Sequence, residues 1–532
     1  MRSRFCLLSL SRRMAVFAGL LSLTAAMPRL SHAAPQAASP GSSSPATGLT
    51  AADRLTLGRL GEALVLSRAT AGKIWPGWGL EKTPIVVYEA GRVAYLVNHP
   101  APPPDFTRLE GKLPLLGTVY AKSGRDPRFN ANTSIELGGV STACIGFSTA
   151  PFETESPSLR FIALVFHEAF HAYQAKVGKP GKGAVEATFM RYPDLNAENL
   201  ALAQLEQMIL FQLTRFDDVP DPERIKGFLA VRQARLKSLG AEFLRADRGI
   251  EYQEGIPTYL EVRLLEEARK SSAATPGLGA EDPYALGFGV APELKAGDYL
   301  LRLLRFSSDA GTARSRAYST GMALALLLDR LGVDWKGEAL TSDKYLDEIL
   351  SEAVPLPAGK AAAALAAVKK DYRYEETLRL VQEKLSRISQ DRKLAADSFL
   401  RQPGVQVVLK LPEGPVELRS FDPMNFQPID ASRAIHRRML SLGFGAGSFS
   451  ARDTPVMVSL GDGPFDIRGI TVFVPRESLQ MEADFTPVRL EPGSREFRSE
   501  VKLSAEGVML QAAAGTLSIS PDGLRVDIAL KH

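Results

Sequence analysis

The 532-residue chain carries 64 Lys and Arg against 60 Asp and Glu, a formal charge of +4, with 45% hydrophobic and 23% charged residues. This is the composition of a folded soluble protein, not of a disordered, fibrous or membrane-embedded one, and the length exceeds one ordinary core, so two or three domains are expected. The basic excess is confined to residues 1–33, which hold Arg2, Arg4, Arg12, Arg13 and Arg29 and no acid; without these five the charge of +4 becomes −1, so no nucleic-acid footprint is expected.

Residues 1–33 read as a signal peptide. A basic start precedes the apolar run Met14–Met27, which is too short for a comfortable membrane span, and Ser31-His32-Ala33 fits a small-x-small cleavage site. The alternative is an uncleaved anchor. Ser11-Arg12-Arg13 matches a twin-arginine signal only weakly. Cleavage after Ala33 predicts an exported protein, periplasmic or secreted, without a membrane span. It also removes Cys6 and leaves Cys144 as the single cysteine, which excludes an intrachain disulfide. Cys144 sits in an apolar segment and reads as a small buried hydrophobe.

Residues 34–49 form a Pro/Ser/Ala-rich tether. A helix is predicted over 52–73, followed by strands over 84–88 and 92–97 joined by a turn at 89–91, and a proline-rich loop. Another strand, 138–147, is expected to lie at a sheet edge. Ser156 and Pro157 supply an N-cap and first helical residue for the next helix, and Gly178 stops it. From about 194 the chain is helical: Leu195, Leu202, Leu205, Ile209 and Leu213 form a stripe, and helices follow over 222–239, 241–269, 317–331 and 361–390. After 395 short strands predominate, at 405–411, 455–460, 470–474, 508–511 and 524–530. The predicted fold class is α+β. A mostly helical domain with a small N-terminal sheet (50–390) precedes an all-β, sandwich-like domain (395–532).

The chemistry concentrates in Leu159–Gln174, which contains His167-Glu168-Ala-Phe-His171. Residues i and i+4 share one helix face, so the two imidazoles can converge on one point. Two imidazoles are half of a tetrahedral Zn2+ site, and the adjacent Glu168 can act as general base on a bound water. The flanks Phe161–Phe166 and Ala169-Phe170 are apolar, so the helix is buried and its polar groups need a partner. The chain has six histidines, and five remain after cleavage. Of the others, His99 reads as a surface-loop residue and His436 as part of a solvated helical turn.

A third ligand is required, and no third histidine follows at a suitable spacing, so a carboxylate is expected. Glu254-Gly255, followed by Tyr259 in a helical segment, resembles the third-ligand helix of gluzincin metallopeptidases of the aminopeptidase-N and glycyl aminopeptidase types. Tyr318-Ser-Thr-Gly321, opening an apolar helix, is similar to their Tyr-x-Lys-Gly segment. The resemblance covers about 140–335. It implies Glu254 as third zinc ligand and Tyr318 as hydrogen-bond donor to the oxyanion. Several features depart from the family pattern. Residues 172–253 separate His171 from Glu254, a longer gap than in those families. Thr320 replaces Lys. Pro257 implies a kink or a late helix start. No Gly-x-Met-Glu-Asn segment is present to hold a substrate amine, which disfavours an aminopeptidase. Glu198 is a rival third ligand, placed inward by the leucine stripe, with Glu251 and Glu261 as further alternatives. Glu206 reads as a core carboxylate paired to an arginine.

The expected function is zinc-dependent hydrolysis of a peptide or protein substrate, with the 138–147 strand binding an extended peptide by strand addition. Two alternatives are open. One is an envelope zinc hydrolase acting on an ester or amide. The other is a catalytically silent protein of gluzincin-like fold whose β domain binds a partner.

Overall fold

The computed structural model describes residues 49–110, 113, 115–129, 131–147, 157–184, 188–189, 192–215, 219–270, 300–304, 310–413, 416–421, 425–461 and 466–531. The expected signal peptide, nearly all of the tether, and the Ser156 cap lie outside these residues.

Helix α1 (Ala51–Ile74) opens on a reciprocal cap in which the Asp53 amide donates to Thr50 Oγ1 and the Thr50 amide donates to the Asp53 carboxylate. Arg92 also donates to Asp53, at 2.6 Å, tying this end of α1 to the hairpin that follows. Strands β1 (Ile85–Glu89), β2 (Val93–Val97), β3 (Thr107–Arg108), β4 (Val119–Ser123), β5 (Thr133–Leu137) and β6 (Val140–Gly146) form one sheet in the order β3-β4-β2-β1-β6-β5. Only β1 and β6 pair in parallel. The strand expected at the edge, β6, is therefore interior. The edge on this side is β5, joined to β6 by a turn at Gly138 and Gly139, both with positive φ.

Alternation along β6 serves two layers. Ala143 and Ile145 join the main core beneath the histidine helix, while Cys144 packs on the opposite face with Val86, Leu96 and Phe129. The histidine helix, α2 (Pro157–Val177), lies over this sheet. Its back face carries Phe166 and Phe170. Edge-on aromatic contacts hold it: Trp75–Phe170 with centroids 4.8 Å apart, Trp78–Phe166 at 5.7 Å and Trp78–Phe170 at 5.3 Å. Trp335 closes the cluster against Trp75 at 5.4 Å and Tyr259 at 5.4 Å, so all three tryptophans of the chain brace this helix.

Helices α3 (Ala197–Arg215), α4 (Pro222–Leu239), α5 (Ala241–Ile250), α6 (Ile256–Lys270) and α7 (Ala310–Arg330) follow; all but α5 contribute to the core around α2, and α5 packs in a smaller cluster with Phe189, Tyr192 and Ala317. The short α8 (Lys336–Thr341) and α9 (Leu346–Ala353) follow. The predicted helix over 361–390 divides into α10 (Ala361–Asp371) and α11 (Tyr374–Leu400) at Arg373, which has positive φ. Among the described residues, no helix is long and apolar enough to cross a membrane.

Beyond α11, the strands from Val405 to Leu530 form an eight-stranded and a seven-stranded sheet that share one apolar core, including Val407, Ile470 and Val526 from one sheet and Leu442, Phe449 and Leu510 from the other. The architecture is α+β, with helices first and a sandwich-like β region after. Phe399 near the end of α11 packs on Ile429, Ile435 and Met457. His436 corrects its expected place in a solvated helical turn. It ends the strand Arg433–His436, paired on both sides, and is 1% exposed, while the Arg437 and Arg438 beside it are exposed. The charged neighbours suggested a surface turn, but ladder pairing sets the burial here.

Candidate metal centre

The helical spacing does what the sequence requires of it: His167 and His171 present their rings on one face of α2, with centroids 4.8 Å apart. The third element is a π-helical turn, Glu251–Gly255, wedged between α5 and α6. Pro257, with no N–H to donate, sits at the second residue of α6; the chain is helical on both sides of the turn, so the widened turn accommodates the proline in place of the expected kink or late helix start. The wider turn separates two acids by side. Glu254 faces the histidines, whereas Glu251 faces α4.

Two glycines let this turn meet α7. A Cβ on Gly255 would lie 2.6 Å from the Gly321 Cα, and one on Gly321 would lie 2.5 Å from the Glu251 carbonyl oxygen. Neither position has room for a side chain. The Glu-Gly and Tyr-x-x-Gly steps are thus two halves of one backbone contact, which brings Glu254 and Tyr318 into the same site.

Each imidazole is oriented through its Nδ1. His167 Nδ1 lies 2.6 Å from Glu261 Oε1, and His171 Nδ1 lies 3.2 Å from Gln174 Oε1. The Gln174 amide is fixed in turn, because its Nε2 donates to the Tyr252 carbonyl at 3.0 Å. With Nδ1–H committed to an oxygen acceptor, each neutral ring presents the Nε2 lone pair. Both lone pairs point at Glu254 Oε2, at 3.2 Å from His167 and 3.3 Å from His171. Three electron-pair donors facing one another require a cation between them, either protons on the rings or a metal ion.

The donor set fits a metal. Ligand bonds of about 2.0 Å in a tetrahedron give ligand–ligand edges of about 3.3 Å, matching both separations. The three ligand atoms all lie within 4.8 Å of one another, and the group could hold a metal ion. The demand for positive charge appears in the pKa values. Burial alone would lower that of His167, yet the hydrogen bonds with Glu254 and Glu261 raise it to about 10. Burial alone would raise that of Glu254, but its contacts with the two imidazoles hold it well below the usual carboxylate range.

Glu168 follows the first histidine into the cleft wall. It is 6% exposed, and its Oε2 has no hydrogen-bond partner among the described residues. Burial raises its pKa, against the opposing pull of His167 and His171. Tyr318 lies on α7 with its ring nearly parallel to that of His167, centroids 6.3 Å apart. Burial and the Glu254 carboxylate raise the pKa of its phenol.

The rival ligands separate cleanly. Glu198 is exposed in the first turn of α3, a correction of its expected inward placement, because that helix starts at Ala197 and Leu195 precedes it. Glu251 is taken by Arg232, whose two terminal nitrogens donate at 3.0 and 2.9 Å, and by Thr320 Oγ1 at 2.6 Å. Glu206 is a core carboxylate between Arg232 and Arg235, as expected. Glu261 backs His167 from the side away from Glu254. His99 corrects its surface-loop reading: it is 8% exposed, with Nε2 2.9 Å from the Leu137 carbonyl.

Sequence reasoning missed Gln174 and Arg314. Gln174 sits three residues after His171 on the same helix face, and Arg314 four residues before Tyr318, so helical spacing was the available signal in both cases. The site lines a cleft of about 890 Å3, whose walls include Thr133 and Ser134 of edge strand β5, Tyr252 and Gln253 of the π-helical turn, and Arg302 and Arg314. No protein-family model matches the chain, and no curated protein or solved structure is significantly similar to it.

Proposed function

We propose that the protein is an exported zinc-dependent metallopeptidase of gluzincin type. The observation that carries this reading is the convergence of His167 Nε2, His171 Nε2 and Glu254 Oε2, with the buried, unbonded Glu168 carboxylate oxygen beside them. Glu254 is the third ligand in this reading. Export rests on the signal-like residues 1–33.

Zinc held by these residues would act as a Lewis acid, lowering the pKa of water and polarising a carbonyl. Glu168 takes the proton of the attacking water as its oxygen bonds to the carbonyl carbon. The same carboxyl then gives that proton to the leaving nitrogen as the C–N bond breaks. Burial raises its pKa, which favours the protonated form that it takes on between the two steps. The Tyr318 hydroxyl donates a hydrogen bond to the developing oxyanion. Strand β5, unpaired on its outer side among the described residues and lining the cleft, takes the peptide-aligning role first expected of the neighbouring β6.

Glu168→Gln tests the reading. Zinc content is expected to match wild type, while hydrolysis of labelled casein falls by about 10²- to 10⁴-fold. A wild type that hydrolyses no unfolded protein or peptide, or a variant as active as wild type, contradicts it.

A further inference from the structure

We propose that Arg314 is a positioning residue that fixes both the third metal ligand and the oxyanion donor, so that ligand binding and transition-state stabilisation depend on one guanidinium. The inference rests on the reading of His167, His171 and Glu254 as a zinc site.

Arg314 spans the two groups. One terminal nitrogen donates to Glu254 Oε1 at 3.0 Å and the other to the Tyr318 hydroxyl at 2.6 Å. Its side chain is 12% exposed, and its guanidinium carbon lies 5.2 Å from the Tyr318 ring centroid. Arg314 and Tyr318 are one turn apart on α7, so the helix itself sets their registry.

The fork divides labour within the Glu254 carboxylate. Oε1 is held by Arg314, which leaves Oε2, the oxygen facing both imidazoles, as the free ligand atom. It also orients the phenol. A hydroxyl that accepts a hydrogen bond from Arg314 must send its own hydrogen elsewhere. Two destinations compete: the Glu254 carboxylate, close enough to raise the phenol's pKa, and a substrate oxygen in the cleft. Sharing Glu254 with the guanidinium weakens the carboxylate's hold on the phenol hydrogen, so that a substrate oxygen in the cleft can take it. Without Arg314, the carboxylate recaptures that hydrogen and is also free to turn away from the histidines.

A lysine cannot reproduce this, because the bridge needs two donors held in a plane, whereas an ammonium is a point charge on a flexible stem. The charge beside Glu254 would survive in Arg314→Lys, but the simultaneous hold on Tyr318 would not.

The test measures zinc affinity by chelator competition, and casein hydrolysis at saturating zinc, for the full mature chain. Wild type, Arg314→Lys, Arg314→Met, Tyr318→Phe and the Arg314→Met/Tyr318→Phe double variant are compared. Arg314→Met is expected to bind zinc about 10- to 100-fold more weakly. At saturating zinc it should lose kcat with little change in KM. The double variant should lose no more kcat than the worse single variant, because both changes remove the same oxyanion interaction. Arg314→Lys should recover most of the zinc affinity but not kcat, which also shows that the chain folds with the bridge broken. Zinc affinity within twofold of wild type in Arg314→Met, or kcat losses that multiply in the double variant, overturns the proposal while leaving the zinc site intact. A wild type that binds no zinc overturns both.

Discussion

Two buried charged clusters lie back to back across the π-helical turn Glu251–Gly255, and they are built on opposite principles. On the α4 side, Arg232, Arg235 and Arg316 interleave with Glu206, Glu251 and Asp247, each acid within salt-bridge distance of an arginine. On the α2 side, two histidine nitrogens and a carboxylate oxygen face one another. The first cluster supplies its own counter-charges. The second needs a cation between its members, and its three ligand atoms are placed to hold a metal ion. Burial of charge alone does not mark a site; buried acceptors aimed at one another do.

The largest way to test this contrast is to break the charge-paired cluster. Arg232→Met leaves Glu251 buried without its guanidinium partner and Glu206 with Arg235 alone, and should cost about 3–5 kcal/mol of unfolding free energy in a denaturant titration. A loss below 1 kcal/mol would mean that the cluster is not the closed structural unit described here. The second cluster should respond instead to its cation. Free zinc at a hundred times Kd should add about 2.7 kcal/mol of stability to wild type and nothing to Glu254→Ala.

Gly321→Ala tests the contact that holds the clusters together. Overpacking against the Glu251 carbonyl should cost about 1–3 kcal/mol and reduce zinc affinity, since the strain falls on the turn bearing Glu254. The pH dependence sharpens the comparison further. In metal-free protein His167 has a folded pKa of about 10 against its ordinary 6.5. A raised folded pKa gives stability that is fully present below 6.5 and is lost as pH rises through about 10. Chelator-treated protein should therefore lose stability across that window, and zinc-loaded protein should lose less. The smallest effect belongs to the exposed Arg379–Glu383 pair on α11, where Glu383→Gln should change stability by at most about 0.5 kcal/mol.

The sequence displayed part of this arrangement and concealed the rest for physical reasons. His167, Glu168 and His171 were legible because helical period alone places i and i+4 on one face, and the apolar flanks announced burial. Glu254 and Tyr318 were reachable through short motifs, but why those motifs carry glycines was not: the Gly255–Gly321 contact joins residues 66 positions apart, and no local pattern encodes it. Glu198 misled because a leucine stripe was extended back to Leu195, beyond the true helix start at Ala197. The edge strand was misassigned because β5, Thr133–Leu137, is short and largely polar, while the apolar β6 carried the stronger signal. In the β region, His436 was hidden by its arginine neighbours, and the two-sided pairing that buries it comes from distant strands.

Metal analysis of the purified protein, dialysed against trace zinc, tests the central claim most directly, with Glu254→Ala and Glu198→Ala measured alongside. The account predicts about one zinc per chain in wild type and in Glu198→Ala and almost none in Glu254→Ala, since three protein ligands are needed to hold the ion. A wild type without zinc, or equal zinc in all three proteins, would contradict it.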